Sequence, residues 1–155
     1  MIGNDVVDLA LARKDSDWKR IGFLQKLFTV SEQQLIDAAA SPEVMVWNLW
    51  SRKEAAYKIY NRQTGQRRFM PLLLNCIYES QKKGKVICGD KVYYTQTVIT
   101  KDCIETVAAM HQTDLAKFRY LDNAKGIHKQ NGIPFYNNRP ASISHHGKFE
   151  RIIVL

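Results

Sequence analysis

Residues 47–58 are Trp-Asn-Leu-Trp-Ser-Arg-Lys-Glu-Ala-Ala-Tyr-Lys, and their pattern is typical of a largely buried helix. Ser41-Pro42-Glu43 just before them is a helix start, because it combines a capping side chain, a proline in the first turn and an early acid. Large aromatic residues and a charged pair lie on one side at helical spacing, and small or aliphatic residues lie on the other. The sequence predicts that this helix runs to about Asn61 and is the longest in the chain.

Outward from this helix, helix signals lie on its N-terminal side and strand signals mostly on its C-terminal side. Ile2 to Leu9 is rich in β-branched residues, which predicts a first strand. Ser16-Asp17 can cap a short amphipathic helix, and Thr29-Val30-Ser31-Glu32 is a capping-box pattern that opens a helix through about Ala39. Later strands are expected at Leu72–Ser80, Lys85–Cys88, Lys91–Thr100, Ile104–Met110, Ala141–Ser144 and Phe149–Leu155. The segment Asp114–Asn123 fits either a short helix or a strand, and Gly132-Ile133-Pro134 marks a turn.

This order of elements predicts an α+β fold with helices packed on an antiparallel sheet, because a parallel, doubly wound sheet would alternate its helices and strands. The 155 residues contain no internal repeat, low-complexity tract or linker rich in proline and glycine. A chain of this length has enough residues for one domain. We therefore expect residues 1–155 to form a single domain.

The composition argues against several classes of protein. Hydrophobic residues make up 45% and charged residues 25% of the chain, which is close to the globular average and argues against disorder. No apolar run approaches the roughly 20 residues that a membrane span needs, and an acid as early as Asp5 argues against a secretory signal. The three cysteines, Cys76, Cys88 and Cys103, lack the CxxC spacing of a zinc site, so a reducing, cytoplasmic location is expected.

Positive charge is concentrated in the later part of the chain, and the formal net charge is +8. Residues 1–50 hold 5 bases and 7 acids, whereas residues 51–155 hold 18 bases and 8 acids. Six bases and one acid, Glu54, lie between Arg52 and Arg68. Such an excess predicts an anionic partner. The lone acid is either the centre of ion pairs or a metal ligand beside that anion.

Glu54 and Lys58 lie about 40° apart around the helix axis, at about 100° per residue. An exposed pair at this spacing is common and stabilises a helix by only a few tenths of a kcal/mol. Here the pair lies among Trp47, Trp50 and Tyr57, which would partly desolvate it. The periodicity leaves both interpretations open, an ordinary ion pair or a functional one.

Two further segments can carry chemistry. Asp5 lies inside the apolar first strand, where a charge is costly to bury. It therefore ends the strand in a turn, pairs with a base or binds a cation. Asp8, three residues further on, faces the opposite side of the strand. In Ala141-Ser142-Ile143-Ser144-His145-His146-Gly147, hydroxyl and imidazole groups before a glycine turn can hold a phosphate. A plain polar strand end is the alternative. Ser144 and His145 point to opposite faces of a strand, which is unfavourable for a nucleophile pair.

Taken together, these segments resemble the signatures of the 4′-phosphopantetheinyl transferases. The matching residues are Gly3-x-Asp5 in a first strand, Trp50-Ser51-x-Lys53-Glu54-Ala55-x-x-Lys58 on a helix, and Ser142-x-Ser144-His145 on a late strand. They occur in the family's order, although the segment 72–129 carries little of the resemblance. The helix signature is the most specific of the three.

The resemblance implies an enzyme that moves the 4′-phosphopantetheine arm of coenzyme A onto a serine of an acidic apo acyl carrier protein and releases 3′,5′-ADP. It implies that Asp5 and Glu54 ligate Mg²⁺, a hard cation that prefers carboxylate and phosphate oxygens. Glu54 would help to remove the serine proton, and Lys58 would stabilise or protonate the leaving phosphate. The phosphates of coenzyme A would be contacted by Lys53, Lys58, Ser144 and His145.

The order of the motifs is similar to that of the single-module holo-[acyl-carrier-protein] synthases, which also place the Ser-His motif last. Members of that type are usually trimers with sites between subunits, so a homo-oligomer, a trimer, is implied. The chain is longer than is typical of this type, and Gly132-x-Pro134 before the Ser-His motif is similar to the family's two-module form. Neither nucleic acid nor a membrane is expected as a partner.

Two other functions fit parts of the sequence. A small nucleic-acid-binding domain would account for the charge and would use Tyr93, Tyr94 and Tyr136 for stacking, but no recognition motif for RNA or DNA accompanies them. A family member that has lost catalysis and only binds a carrier protein is the other alternative. It is opposed by the presence of Asp5, Glu54, Lys58 and His145.

Overall fold

The computed structural model describes all 155 residues. Its first strand and its helices are β1 (Ile2–Asp8), α1 (Leu9–Asp15), α2 (Phe23–Leu27), α3 (Val30–Ala38) and α4 (Pro42–Thr64). The strands that follow are β2 (Asn75–Tyr78), β3 (Lys83–Cys88), β4 (Lys91–Ile99), β5 (Cys103–Ala109), β6 (Arg119–Leu121), β7 (Ile127–Gln130), β8 (Ile133–Tyr136), β9 (Arg139–His146) and β10 (Phe149–Val154). The predicted α+β class with antiparallel strands is confirmed.

The strands form two antiparallel sheets of five strands each, rather than one. The first sheet has the order β1-β5-β4-β3-β2, and the second has the order β6-β10-β9-β8-β7. Within the first sheet β1 pairs only with β5, where Asp5 lies opposite Thr106. The other edge of β1 is therefore free of backbone partners, and β9 and β10 of the second sheet lie against it.

Helix α4 is the centre of the fold, since it packs against β1 and β5 on one side and α3 on another. Ser41 caps its start by accepting a hydrogen bond from the Val44 N–H. Gly65 ends it with a φ of 72°, a left-handed conformation that glycine adopts without strain. Gly3 lets β1 approach the helix closely, because a Cβ at that position would collide with the Ala55 carbonyl oxygen.

Two of the shorter helices are fixed by their caps. Thr29 and Glu32 form the predicted capping box at the start of α3. Asp8 caps α1 by accepting hydrogen bonds from the N–H groups of Ala10 and Leu11. Sequence reasoning missed α1 because its cap lies inside the segment assigned to the first strand.

The hairpin of β7 and β8 was also missed, since only a turn was predicted there. The turn lies at Asn131 and Gly132, with φ values of 52° and 79°, whereas Ile133 and Pro134 of the predicted turn belong to β8. Each strand is only 4 residues long; β7 is mostly exposed, whereas β8 is half-buried apart from the buried Pro134. Neither strand therefore alternates clearly between apolar and polar residues. The three cysteines are buried and free. None of the helices combines the length and the apolar character needed to cross a bilayer.

Candidate active site

The second sheet docks on the free edge of β1 through side chains instead of backbone groups. Ser142, Ser144 and His146 lie two residues apart along β9, and each accepts a hydrogen bond from a backbone N–H of β1. The donors are the N–H groups of Asn4, Val6 and Asp8, at 3.1, 3.1 and 2.8 Å. Because a free strand edge presents unpaired N–H groups, these three bonds fix the register of β9 against β1.

This register brings Ser144 next to Asp5. The Ser144 hydroxyl donates to Asp5 Oδ1 over 3.0 Å while it accepts the Val6 N–H, and only 6% of the residue is exposed. Ser144 therefore fixes the orientation of the Asp5 carboxyl group. Its predicted partner was a phosphate of coenzyme A, but in the structure its hydrogen bonds go to β1.

Asp5 and Glu54 line one cavity of about 390 Å³, which also contains the side chains of His145 and His146; we call it the carboxylate cavity. Burial raises the pKa of Asp5 to about 7, and the nearby charge of Glu54 contributes to the rise. Burial also raises the pKa of Glu54 above its usual range. Neither carboxyl group forms a salt bridge, so a bound cation would stabilise the ionised pair.

The donor set fits Mg²⁺, which usually takes one or two carboxylates and completes its shell with waters and substrate phosphates. No group of three or more His, Cys, Asp or Glu residues forms a closed metal site. Asp8 does not join the pair, in line with the strand alternation. Its Oδ2 accepts the Lys148 N–H, and hydrogen bonds from backbone N–H groups hold its pKa below the usual range.

Lys58 lies one turn beyond Glu54 and joins the two sheets. Its Nζ donates to the carbonyl oxygens of Asn4 and Ile143, over 2.6 and 3.1 Å. Burial lowers the pKa of Lys58, while the charges of Asp5 and Glu54 oppose that shift. Lys58 therefore lies close enough to both carboxyl groups to respond to their charge.

A second cavity of about 460 Å³ is lined in part by Lys58. We call it the basic cavity, because Lys58, Arg62 and Arg67 line it together with the turn at Asn131 and Gly132. It has three bases and no acid among its lining residues. Such a composition favours an anionic ligand.

The structure does not bring Lys53 to either cavity. Lys53 is fully buried, and its Nζ lies 2.6 Å from Glu32 Oε2 and donates to the carbonyl oxygens of Leu27 and Pro71. An ammonium group has three donors, and all three have partners here. The predicted contact between Lys53 and a phosphate is therefore not supported by this geometry.

Sequence reasoning gave Trp47 no role beyond its place on the aromatic side of the helix. Trp47 lines the carboxylate cavity, only 6% of it is exposed, and its Nε1–H has no hydrogen-bond partner. A buried N–H without an acceptor costs about 1–3 kcal/mol. The sequence did contain a signal that Trp47 lies near the site. It precedes Glu54 by seven residues, which is two helical turns, and so lies on the same face of the helix.

Comparison with protein families matches residues 1–103 to a model described as the 4′-phosphopantetheinyl transferase superfamily. The chain belongs to this superfamily. The matched region includes Asp5, Glu54 and Lys58 but ends at Cys103, before the strand that carries Ser144. Comparison with curated proteins gave no match.

Solved structures of holo-[acyl-carrier-protein] synthases have the same fold. The enzyme of Helicobacter pylori in complex with coenzyme A superposes with a TM-score of 0.56 and 17% identity, over 70% of this chain and 98% of that one. The Neisseria meningitidis enzyme superposes with a TM-score of 0.54 and 18% identity, over 69% of this chain and 94% of that one. The Bacillus anthracis enzyme, in complex with CoA (3′,5′-ADP), superposes with a TM-score of 0.53 and 16% identity, over 69% of this chain and 91% of that one. By family, the chain is a member of the 4′-phosphopantetheinyl transferase superfamily, and its fold is that of the holo-[acyl-carrier-protein] synthases.

Proposed function

We propose that this phosphopantetheinyl transferase moves the arm of coenzyme A to a serine of an apo carrier protein, in a Mg²⁺-dependent reaction that releases 3′,5′-ADP. The observation that carries the proposal is the pair of carboxyl groups of Asp5 and Glu54, which lack salt bridges and lie beside a basic cavity. The relatives from Helicobacter pylori and Bacillus anthracis were solved with coenzyme A or its nucleotide. Those complexes support coenzyme A as the co-substrate.

The nucleotide half of coenzyme A fits the basic cavity by charge. Lys58, Arg62 and Arg67 line that cavity, and the nucleotide half carries several phosphate charges. Lys58 is shared between this cavity and the carboxyl pair, so a pyrophosphate lying across it would meet Lys58 and the two carboxylates together. His145 is exposed and lines the carboxylate cavity, where its imidazole can donate to a phosphate oxygen.

Asp5 and Glu54 would hold the metal ion, and Mg²⁺ bound there would neutralise negative charge on the pyrophosphate. Ser144 supports this arrangement by holding the Asp5 carboxyl group in one orientation. Ser144 is thus a positioning residue in this proposal. Lys53 takes no part in binding, because its ammonium group is committed to Glu32 and two carbonyl oxygens.

Glu54 and Lys58 divide the proton transfer between them. The carrier serine oxygen forms a bond to the phosphorus next to the arm, while the bond from that phosphorus to 3′,5′-ADP breaks. Glu54 accepts the serine proton, directly or through a bound water. Lys58 stabilises or protonates the leaving phosphate, and its lowered pKa eases proton donation.

The carrier protein would approach from the side of α1. Arg13 and Lys14 lie in the last turn of that helix and are exposed, while Ala12 beside them lines the carboxylate cavity. Basic residues next to the opening of the cavity suit an acidic partner, since complementary charge steers association.

The test is incubation with coenzyme A, Mg²⁺ and apo carrier proteins from fatty-acid, polyketide and peptide synthesis, followed by intact-mass measurement. We expect one carrier to gain the mass of a phosphopantetheine arm, and Glu54→Gln to abolish the gain. Glu79→Gln, at an exposed residue outside both cavities, is the matched control and should keep full activity. If no carrier gains mass with the folded wild-type protein, the proposal is wrong.

A further inference from the structure

The turn between β9 and β10 packs around Asp8, the residue that ends β1 and caps α1. His146 Nδ1 accepts the Asp8 N–H over 2.8 Å, and Asp8 Oδ2 accepts the Lys148 N–H over 3.1 Å. The turn lies so close to Asp8 that a Cβ at Gly147 would collide with Asp8 Oδ2. We call this arrangement of Asp8, His146, Gly147 and Lys148 the Asp8 junction.

The Asp8 junction determines which nitrogen of the His146 ring carries the proton. A ring nitrogen that accepts a hydrogen bond from a backbone N–H is unprotonated, so the proton of the neutral imidazole is on Nε2. His146 therefore acts as an acceptor toward β1, as Ser142 and Ser144 do earlier on the same strand. It is the last of these three acceptors, at the residue where β9 ends.

His145 lies between two residues that are bonded to β1. Ser144 accepts the Val6 N–H and His146 accepts the Asp8 N–H, while the exposed ring of His145 lines the carboxylate cavity. Pairing with β10 keeps this end of β9 in a hairpin, but that pairing does not hold the hairpin against β1. Without the His146 bond, the end of the hairpin would be free to shift relative to the cavity, and His145 would shift with it.

We propose that His146 is a positioning residue, whose Nδ1 bond to Asp8 holds His145 at the carboxylate cavity for its contact with a phosphate of coenzyme A. The inference rests on the proposed function, which gives His145 that contact. His146 acts through its neighbour and does not bind the ligand itself. The two adjacent histidines thus have different tasks, one toward the coenzyme and one toward β1.

Three variants of His146 distinguish its two ring nitrogens. His146→Asn has an amide oxygen close to the position of Nδ1 and can still accept the Asp8 N–H. His146→Gln has its amide near the position of Nε2, and His146→Leu has no acceptor. By calorimetry in Mg²⁺, we expect His146→Asn to bind coenzyme A nearly as tightly as the wild type, and the other two to bind it about fivefold more weakly, the effect of one hydrogen bond.

The matched control is His111→Leu, at an exposed histidine outside both cavities, and it should not change the affinity. If His146→Gln keeps the affinity and His146→Asn loses it, Nε2 contacts the ligand directly and the inference is wrong. An equal loss in all three His146 variants, or no loss in any of them, also overturns it. If the wild-type protein does not bind coenzyme A, the proposed function fails and this inference fails with it.

A double-mutant cycle tests whether His146 acts through His145. His145→Ala should weaken the binding of coenzyme A by itself. In that background His146→Leu should cause no further loss, because the contact that His146 supports is already gone. A purely structural role of His146 would not depend on His145, so an equal loss of affinity with and without His145 would contradict the inference.

A further measurement uses the wild-type protein alone. Protonated and unprotonated ring nitrogens have well-separated ¹⁵N resonances, and we expect His146 to show an unprotonated Nδ1 and a protonated Nε2 at neutral pH. The signals that disappear in His146→Asn assign the ring. The Asp8 amide should also exchange slowly with solvent. A proton on Nδ1, or fast exchange of the Asp8 amide, would overturn the inference even if His146→Leu does not fold.

Discussion

Asp5 lies where its own negative charge is disfavoured, and the reasons can be read from its neighbours. Burial and the charge of Glu54 raise its pKa to about 7, although Lys58 and the Ser144 hydroxyl act in the opposite direction. A carboxyl group that gave only stability would have a salt bridge or a lowered pKa. The ionised form of Asp5 is unfavourable here, and a bound cation would stabilise it. Such a perturbed pKa is typical of a ligand-binding group.

The raised pKa of Asp5 makes the stability of the metal-free protein depend on pH. Between the ordinary pKa of 3.8 and about 7, only the folded state keeps the Asp5 proton, so the free energy of unfolding falls as the pH rises through this window. Between pH 4 and pH 8 we expect the free energy of unfolding of the wild-type protein to fall by about 2–4 kcal/mol because of Asp5. Asp5→Asn should lack this fall. Urea unfolding of both proteins in chelator measures it, and equal pH dependence in the two would contradict the prediction.

Lys53 is a signature residue whose ammonium group has all its partners within the fold. Its partner Glu32 also accepts the N–H groups of Thr29 and Cys76, so one buried ion pair connects α4 to α3 and β2. The charge count placed Lys53 in a basic cluster around Glu54. Arg52, another base of that cluster, is also bonded within the fold. Its guanidinium donates to the carbonyl oxygens of Ser80, Gln81 and Lys83.

Lys53→Met should destabilise the protein by about 3–5 kcal/mol, because it leaves the Glu32 carboxylate buried and unpaired. The fraction that still folds should bind coenzyme A with unchanged affinity. Thermal unfolding and calorimetry measure the two effects, with Lys82→Met, at an exposed lysine, as the control. A tenfold weaker affinity for coenzyme A in folded Lys53→Met would instead restore Lys53 as a phosphate ligand.

At the level of elements, the site depends on how β9 meets β1. The two strands do not share a backbone ladder, so their register is set by Ser142, Ser144 and His146. Lys58 of α4 strengthens the junction by bonding to a carbonyl oxygen on each strand. Three elements from distant parts of the sequence are thereby fixed around Asp5.

Ser142→Ala should loosen this junction without touching the cavity. Ser142 is fully buried and is the acceptor for the Asn4 N–H, so its loss should cost about 1–3 kcal/mol. Hydrogen exchange should show faster exchange of the Asn4 amide, and the transfer rate should fall. Ser31→Ala, at an exposed serine, should change neither. If the Asn4 amide exchanges equally slowly in Ser142→Ala, its N–H has another acceptor and the prediction is wrong.

Local signals predicted most of the helices, because a cap such as Ser41 or the box of Thr29 and Glu32 acts within a few residues. Contacts between distant segments could not be predicted from such local signals. The Ser144–Asp5 bond spans 139 positions, and only the family resemblance suggested that the two segments meet. The spacing of Ser142, Ser144 and His146 did show a polar strand face, but not the β1 edge that it contacts.

At the level of the whole molecule, one copy of the chain holds the site residues that the structure brings together. Asp5, Glu54 and Lys58 meet Ser144 and His145 of the same chain, whereas the family resemblance implied a trimer with sites between subunits. We expect the specific activity to stay constant on dilution, including where light scattering detects only monomer. A loss of specific activity that follows dissociation would show that a second copy is required.

The long separation between β1 and β9 also has a consequence for protein synthesis. A nascent chain that has emerged as far as β5 contains both carboxyl groups and the whole first sheet, yet the free edge of β1 has no partner. Until the ribosome has extruded β9, that edge is open to chaperones or to other chains, and Asp5 lacks Ser144. Translation order therefore delays the contact between Ser144 and Asp5, and with it the fixed orientation of the Asp5 carboxyl group, until the second sheet has been made.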